Sequence, residues 1–322
     1  MSTVQASPLL ARRDSAGTGI ALFLCALVLF AAYDAFAKQM VASHAPAVVN
    51  LGRYTAIGAI ALVLLLRHGD LRLWRQPHQK LLAARSVALA IVATCFMTAL
   101  VTMPLAEATA IYFTAPLIMV ALSPWLLGER VGRAQWTAVL LGFAGMLCIV
   151  RPGGSLPLAG TLLMAVSAVC YALFQVLTRR LSGLVPAPVQ FAHMALACLV
   201  VTNLPVLFMP HVTLPPWPEM ALLVAGGAVS GSAQLLLLAA FRRVGAATLA
   251  PLNYVQLLLA VLISTLWFQR PPDGTALAGM ALIAVAGVYL ARTQRPARNG
   301  PRKGPTQGAG MIRTRDRDKE FR

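Results

Sequence analysis

Two ionisable side chains interrupt the first two long apolar stretches of this sequence, and they are the first candidates for chemistry. Asp34 lies 15 residues into the first stretch and Arg53 lies 7 residues into the second. If both stretches are membrane helices, a rise of about 1.5 Å per residue places Asp34 about 22 Å from the inner end of its helix and Arg53 about 10 Å from the outer end of its own. Both then lie in the outer half of the membrane, where pairing would offset their desolvation. The pair is either a salt bridge between two helices or part of a substrate or gating site.

Two further ionisable residues are candidates for gating or coupling. Glu107 opens the fourth apolar stretch, where the helix dipole alone would favour a carboxylate. The alternative for Glu107 is a proton or cation site near the outer mouth. His193 lies in the seventh stretch, and a side chain that titrates near physiological pH would allow coupling to protons. The alternative for His193 is a hydrogen-bonded packing residue.

Aromatic and amide side chains cluster on particular apolar stretches. They can line a wet cavity and stack on a flat or amphipathic solute, or they can be packing residues that form interhelical hydrogen bonds. Pro116 and Pro251 also interrupt helical hydrogen bonding within the membrane, which is tolerated where protein or a cavity satisfies the freed carbonyls. The clusters contain Phe30, Tyr33 and Phe36; Tyr112, Phe113 and Thr114; Tyr171, Phe174 and Gln175; Ser230, Ser232 and Gln234; and Asn253, Tyr254 and Gln256.

The composition indicates what kind of helices must position these groups. The chain is 58% hydrophobic and 11% charged, whereas a soluble domain carries about 25% charged residues. We therefore predict an all-α integral membrane protein, because each apolar stretch approaches the roughly 20 residues that a membrane-spanning helix needs. Ten transmembrane helices are predicted, at about 19–41, 46–66, 84–103, 107–128, 133–150, 158–178, 186–208, 219–240, 246–268 and 274–292.

Basic residues between the spans predict the orientation. Arg12 and Arg13 precede the first span, and the loops that follow the second, fourth, sixth and eighth spans are also basic. The opposite loops carry Lys38, Arg151 and Arg270. Since cytoplasmic loops are enriched in Lys and Arg, this asymmetry predicts a bacterial-type inner (plasma) membrane protein with both termini in the cytoplasm.

The sequence contains two related halves. At offsets of 141 and 140, the first span aligns with the sixth and the second with the seventh. Asp34 then meets Gln175, and Arg53 meets His193. Five spans in each half is an odd number, so the second half must lie inverted in the bilayer, with a substrate site between the halves. This predicts a cytoplasmic N-terminal tail at 1–18, a first five-helix repeat at 19–151, an inverted second repeat at 152–292 and a basic, disordered cytoplasmic tail at 293–322.

Several functional classes are disfavoured by what the sequence contains. The net charge of +17 does not indicate nucleic-acid binding, because the Lys and Arg residues lie almost entirely in alternate loops and the C-terminal tail. The five cysteines lie one to a span without CxxC spacing, which favours buried apolar residues over a metal site or a disulfide. The sequence has no P-loop, GxSxG or HExxH motif. We therefore expect no enzyme activity, no cofactor and no metal.

Residues Leu105–Gly153 resemble the signature stretch of EamA-like carriers of the drug/metabolite transporter superfamily. The matching parts are Ala115-Pro116, Leu127-Gly128-Glu129 and Gly142–Gly145, and the resemblance extends over about 17–292. The second half departs from the pattern, with Gln256 in the place of Pro116 and Gln269-Arg270 in the place of the family's Gly-Glu. The LAEATAI stretch is also similar to carriers of S-adenosylmethionine or riboflavin in this superfamily.

The resemblance implies a central cavity built from spans 1, 3, 4, 6, 8 and 9, and transport by alternating access. It makes Arg53 and His193 structural or gating partners. It favours, as residues of the substrate cavity, Tyr33, Asp34, Tyr112, Phe174, Gln175, Gln234, Asn253 and Tyr254.

The function expected from the sequence is secondary transport of a small organic metabolite that resembles an amino acid, a nucleoside or a vitamin. Its partners would be that solute, the lipid bilayer and, if transport is coupled, protons. The alternative is a membrane sensor or assembly protein that transports nothing. A sensor would need a soluble output domain, which the spans leave little sequence to form. Substrate, direction, coupling ion and oligomeric state stay open at this point.

Overall fold

The computed structural model of the chain describes residues 8–68, 78–127, 131–150, 156–181, 184–204, 214–241, 243–244 and 249–293. Over these residues the structure is helical and has no β-strand. A short 3-10 turn, Ala250–Asn253, precedes the tenth helix. The α-helices, numbered in chain order, are α1 (Pro8–Met40), α2 (Pro46–His68), α3 (Gln79–Thr102), α4 (Leu105–Tyr112), α5 (Ala115–Leu127), α6 (Arg133–Val150), α7 (Leu158–Leu181), α8 (Ala187–Asn203), α9 (Trp217–Phe241), α10 (Tyr254–Leu266) and α11 (Gly274–Thr293).

Eight helical segments in the described part of the chain have the length and apolar composition to cross a membrane. Two further apolar helices, Pro188–Asn203 and Tyr254–Leu266, are shorter. They fall within the predicted spans 186–208 and 246–268, so the predicted total of ten crossing helices stays a prediction. The predicted N-terminal tail is helical from Pro8, and the predicted tail 293–322 lies outside the described residues after Thr293.

The fourth predicted span is interrupted in the structure. Helix α4 ends at Tyr112, two residues form a turn, and α5 begins at Ala115. Pro116 has no backbone N–H, so the Tyr112 carbonyl loses its usual helical donor four residues later. Thr114 supports the turn, because its Oγ1 donates a hydrogen bond to the Ile111 carbonyl at 2.6 Å. The break therefore divides the predicted span into two helical segments, α4 and α5.

Glycines allow the closest helix crossings. A Cβ atom added to Gly145 of α6 would lie 2.7 Å from the carbonyl oxygen of Gly279 in α11, so only glycine fits this crossing. A Cβ added to Gly227 of α9 would lie 2.6 Å from the Cα atom of Arg53 in α2. Close approach at Gly227 thus holds the backbone of Arg53 in place. Other close pairs are α3 with α7 and α8, and α1 with α9.

Apolar side chains cover much of the outer surface of the helix assembly. Leu140 and Leu258 are more than 60% exposed. Trp125, Trp217 and Trp267 are each at least 70% exposed and lie at or near helix ends. Tryptophan is enriched at the boundary between bilayer and water, so this distribution is typical of helices that face lipid.

Candidate functional site

A cavity of about 210 Å³ lies between the helices. Helices from both halves of the chain line it, including α1, α2, α3 and α4 from the first half and α7, α8, α9 and α10 from the second. Most of the predicted site residues meet on its wall. They are Asp34, Arg53, Tyr112, Pro116, Phe174, Gln175, Gln234 and Asn253.

Asp34 is held by a residue from the other half of the chain. Its Oδ2 accepts a hydrogen bond from Nε2 of Gln256 at 3.1 Å. Gln256 belongs to α10 and also lines the cavity, at the position where the sequence departs from the proline pattern of the first half. A direct Asp34–Arg53 ion pair is not found among the salt bridges of the described residues, although both side chains line the same cavity.

Arg53 is held by aromatic rings. The guanidinium carbon lies 4.6 Å from the centroid of the Tyr33 ring and 5.5 Å from that of the Tyr54 ring. A guanidinium at these distances is attracted by the ring quadrupole. The Nε atom of Arg53 is buried and has no hydrogen-bond partner. Arg53 thus lines the cavity with unused donor capacity.

An aromatic column forms another wall. The Tyr112 and Tyr171 rings stack with centroids 4.6 Å apart, and the Tyr171 and Phe174 rings are nearly parallel at 5.9 Å. Phe96 meets Tyr112 edge-on at 5.6 Å. All four residues line the cavity and offer a flat apolar surface to a solute.

Arg85 supports the column from behind, and the sequence analysis missed it. Its guanidinium carbon lies 4.4 Å from the Phe174 ring centroid. Its Nε donates to Oγ1 of Thr178 at 2.7 Å, and its Nη1 donates to the Gln190 carbonyl at 3.2 Å. Arg85 is the second residue of the predicted span 84–103, next to a basic loop, whereas in the structure α3 begins at Gln79 and buries Arg85. Earlier placement of the helix start would have identified it.

Three further predicted site residues, Tyr33, Tyr254 and His193, are not among the residues that line the cavity. Tyr33 is fully buried behind Arg53, and Tyr254 is buried with its ring centroid 5.9 Å from that of Phe113. His193 is also buried, and its Nδ1 lies 3.1 Å from Oγ of Ser86, within hydrogen-bonding distance. Pro251 lies in the 3-10 turn before α10.

Glu107 is a separate buried carboxyl in the first turn of α4. It is 8% exposed, and its Oε2 atom has no hydrogen-bond partner. Nearby at the same end of the helices, Lys38 donates to the carbonyls of Leu100 and Met103 at 2.5 and 2.8 Å. These bonds satisfy carbonyls at the end of α3, which has no further helical donors.

One contact joins the two halves of the chain near the surface. Nε2 of His44, in the connection between α1 and α2, lies 2.8 Å from Oε2 of Glu219 in the first turn of α9.

In the part of the chain that the structure describes, no three His, Cys, Asp or Glu side chains come together as ligands of a metal ion would.

Two hydroxyl groups on the cavity wall are buried without partners. They are Oγ1 of Thr109 in α4 and Oγ of Ser230 in α9. Buried polar groups are normally hydrogen-bonded, so unpartnered ones at a cavity are candidates for contacts with a bound solute. The arrangement can therefore bind a small polar solute through charged, hydroxyl and amide groups while an aromatic wall covers its apolar part.

Comparison with known proteins identifies related carriers. A pseudopaline exporter from Pseudomonas aeruginosa (strain UCBPP-PA14) is 30% identical over 284 residues, which is 88% of this chain and 99% of the exporter. A riboflavin transporter from Rhizobium johnstonii is 28% identical over 69% of this chain and 71% of that protein. An S-adenosylmethionine uptake transporter from Rickettsia felis is 24% identical over 87% and 94% of the two chains.

The fold and the family agree with these relatives. A solved crystal structure matches with a TM-score of 0.61 and 22% identity, covering 87% of this chain and 98% of that chain. The model of the EamA-like transporter family matches twice, over residues 17–151 and 158–293. The family and the relatives are transporters of small molecules and not enzymes. This chain therefore belongs to the EamA-like transporter family and is a multi-pass membrane protein.

Proposed function

We propose that this protein is a secondary transporter that carries a small organic metabolite across the inner membrane by alternating access. The observation that carries the proposal is one cavity that is lined by charged, amide and aromatic side chains from both halves of the chain. Asp34 and Arg53 come from the first half, and Gln175, Gln234 and Asn253 from the second. A site between two halves can be exposed to either side when the halves rock about it.

The proposed architecture is two inverted five-helix repeats, and the helix contacts are consistent with it. If α1, α2 and α3 correspond to α7, α8 and α9, each main contact has a counterpart. The contact of α1 with α9 corresponds to that of α7 with α3, and α2 with α9 corresponds to α8 with α3. The contact of α6 with α11 is its own counterpart, because each is the last helix of its half. Such a pairing of contacts supports a two-fold relation between the halves.

Alternating access requires contacts that open on one side while others close on the opposite side. In the orientation predicted from the basic loops, the His44–Glu219 contact lies at the outer side and the Arg85 contacts lie at the inner side, with both termini in the cytoplasm. Glu107 and His193 remain our candidates for coupling to protons. Glu107 is supported by its buried, unpartnered carboxyl oxygen and His193 by its place beside Arg85 on the neighbouring helices.

The test is solute flux through the purified full-length carrier in liposomes. Liposomes loaded with a bacterial metabolite extract are diluted into buffer, and released compounds are identified by mass spectrometry. We expect one or a few related compounds to leave these liposomes faster than they leave loaded liposomes that contain no carrier. The triple variant Asp34→Asn, Tyr112→Ala, Asn253→Ala should abolish this release.

The control variant carries Asp14→Asn and Tyr289→Ala. Asp14 precedes the span that begins at Gly17, and Tyr289 is 40% exposed on α11 and does not line the cavity. Release that survives the triple variant would overturn the site. Wild-type carrier that releases no compound from any extract would favour a sensor or assembly protein instead.

A further inference from the structure

We infer that Glu107 is a proton-binding site outside the solute cavity, and that a proton from the outer water controls the opening of the outer side. Glu107 lies in the first turn of α4, on the outer side in the orientation predicted from the basic loops, and is not among the residues that line the cavity. The inference goes beyond the proposed transport function. It is argued from the burial and contacts of Glu107, and its test does not require solute flux.

The carboxyl group of Glu107 is buried and incompletely satisfied. Glu107 is 8% exposed, and its Oε2 atom is buried without a hydrogen-bond partner. The carboxyl group accepts a hydrogen bond from its own backbone N–H. An ion pair with Glu107 is not found among the salt bridges of the described residues. Because a buried carboxylate without a counter-ion is costly at membrane depth, a proton on this group stabilises the arrangement seen here.

The charged groups around α4 do not supply a counter-ion. The helix packs against α1, α3, α6, α7, α10 and α11, and none of these helices carries a histidine. The charged residues in their described outer parts are Lys38, Arg270 and Asp273. The Lys38 ammonium is bound to carbonyls at the end of α3, and Asp273 repels a negative charge on Glu107. The other charged residues of these helices lie on the cavity wall or towards the inner ends.

Asp273 stands just before α11, but its carboxyl group already has a structural role. Its Oδ1 accepts from the backbone N–H of Ala276 at 2.8 Å and from Oγ1 of Thr275 at 2.9 Å. A carboxylate that caps a helix start in this way is stabilised by its negative charge. Oε2 of Glu107 has no comparable donor, so the proton is assigned to Glu107 and not to Asp273.

The site suits a proton better than a metal cation. Hard metal cations take several oxygen ligands, and no three His, Cys, Asp or Glu side chains come together in the described part of the chain. A proton needs only one carboxyl oxygen, and it converts that oxygen into a donor. Binding therefore consists of the addition of a proton from the outer water to the Glu107 carboxylate, and release returns the proton to that water.

Helix α4 connects the proton site to the solute cavity. The helix is eight residues long, begins after Pro104 and ends at Tyr112. Thr109 and Tyr112 line the cavity, and Tyr112 lies about 7.5 Å along the helix from Glu107 at about 1.5 Å per residue. Loss of the proton favours an arrangement in which water reaches Glu107, so the outer end of α4 moves away from its neighbours. The same short helix then moves a wall of the cavity.

The test measures opening of the outer side by the reaction of one cysteine with a reagent in the outer water. The five native cysteines are replaced by alanine in the full-length carrier, and the cavity residue Ser230 is changed by Ser230→Cys. Spheroplasts that carry this protein are treated with a membrane-impermeant methanethiosulfonate at outer pH values from about 8 to about 5, a range in which carboxyl groups of different burial titrate. The labelling rate is compared with and without Glu107→Gln.

Glu107→Gln stays neutral at every pH, so it represents the protonated residue. At high pH we expect labelling to be about fivefold or more faster with Glu107 than with Glu107→Gln, which is the lower end of typical couplings between two sites. The difference should vanish at low pH, where Glu107 is protonated. The reactivity of the cysteine and the contact of His44 with Glu219 are present in both backgrounds, so their pH dependence cancels in the comparison.

Two controls separate proton binding from a general loss of charge. Asp14→Asn, before the span that begins at Gly17, should keep the wild-type pH profile of labelling. Infrared difference spectra of the purified carrier between high and low pH should show one protonated-carboxyl band fewer in Glu107→Gln than in wild type or Asp14→Asn.

The same pH profile of labelling with Glu107 and with Glu107→Gln would overturn the inference. Faster labelling of Glu107→Gln than of wild type at high pH would also overturn it, because the neutral residue would then favour the open side. If Glu107→Gln does not fold, Glu107→Asp decides, since its shorter side chain keeps the carboxyl group but changes its burial. An unchanged pH midpoint of labelling in Glu107→Asp would contradict the assignment. Metabolite release from liposomes tests transport separately, so failure of either proposal leaves the other intact.

Discussion

Arg53 and Arg85 are two arginines inside the same helix assembly, and they differ in how completely their surroundings satisfy them. Both guanidinium groups lie over aromatic rings, at 4.6 Å from Tyr33 and 4.4 Å from Phe174. Arg85 also donates to Thr178 and Gln190, whereas Nε of Arg53 has no partner. Arg53 lines the cavity, and Arg85 does not. Hydrogen-bond satisfaction therefore separates an arginine available to a solute from one that supports the wall.

The same contrast separates the aligned positions of the two halves. In the first half, Asp34 and Arg53 both face the cavity. In the second half, Gln175 faces it, while His193 lies beside Ser86. The two halves supply similar helices, but the charged groups of the cavity come from the first. A site of this kind need not share the symmetry of the helices that form it.

The largest effect should follow from removing the unsatisfied charge. We expect Arg53→Gln to lower transport of the native solute by about a hundredfold or more, because losing one partner of a buried charge contact costs about 2–5 kcal/mol. Because the change also removes the cation–π contacts with Tyr33 and Tyr54, the melting temperature should fall modestly. Initial rates in liposomes and thermal unfolding in detergent measure the two effects.

Arg67→Gln is the matched control for this variant. Arg67 lies on the same helix, is exposed and does not line the cavity. Wild-type transport rates in Arg53→Gln would contradict the contrast between the two arginines, because Arg53 would then be a supporting residue.

An intermediate effect should follow from disturbing the position of Arg53 without changing its charge. The Cβ of Gly227→Ala would lie 2.6 Å from the Cα of Arg53, so α9 must move away from α2. Overpacking of this kind costs about 1–3 kcal/mol. We expect a lower melting temperature and a transport rate reduced by about tenfold, which unfolding scans and flux assays measure.

Gly58→Ala is the control for the glycine variant. Gly58 lies in α2, the helix that carries Arg53, and a Cβ added to Gly58 would have no atom within 4 Å. Because alanine is favoured over glycine within helices by about 0.5–1 kcal/mol, this change should leave the carrier as stable as wild type or slightly more stable. Equal loss in both variants would show that glycine flexibility matters here, and not the close approach at Arg53.

The sequence predicts the apolar helices and the place of Asp34 within the first of them, because both follow from the position of long apolar stretches. It does not predict which way Tyr33 and Tyr254 face. Helices that contact lipid on one side and protein on the other are apolar all round, so a helical periodicity gives little information on facing. The bond of Gln256 to Asp34 was also missed, since it joins residues 222 positions apart. Arg85 was missed because it is the second residue of the predicted span 84–103, where a basic side chain is expected at the membrane boundary, whereas α3 begins at Gln79 and buries it.

The smallest effect on transport should follow from changing Arg85. Arg85→Gln removes the contact with the Phe174 ring and the donors to Thr178 and Gln190. Leaving buried acceptors unsatisfied costs about 1–3 kcal/mol, so the melting temperature should fall. If Arg85 only supports the wall, the transport rate per folded carrier should stay within about threefold of wild type. This is less than a tenfold change, which corresponds to about 1.4 kcal/mol.

The two measurements on Arg85→Gln separate support from participation. A lower melting temperature with nearly unchanged flux per folded carrier is the expected result, with the exposed Lys80→Gln on the same helix as the control. Loss of flux with an unchanged melting temperature would mean that the bonds to Thr178 and Gln190 open during transport. Arg85 would then be satisfied in only one state of the carrier. The difference between Arg53 and Arg85 would in that case reflect two steps of one transport cycle. The donors of Arg85, which are hydrogen-bonded in this structure, would become available to the solute when the inner side opens.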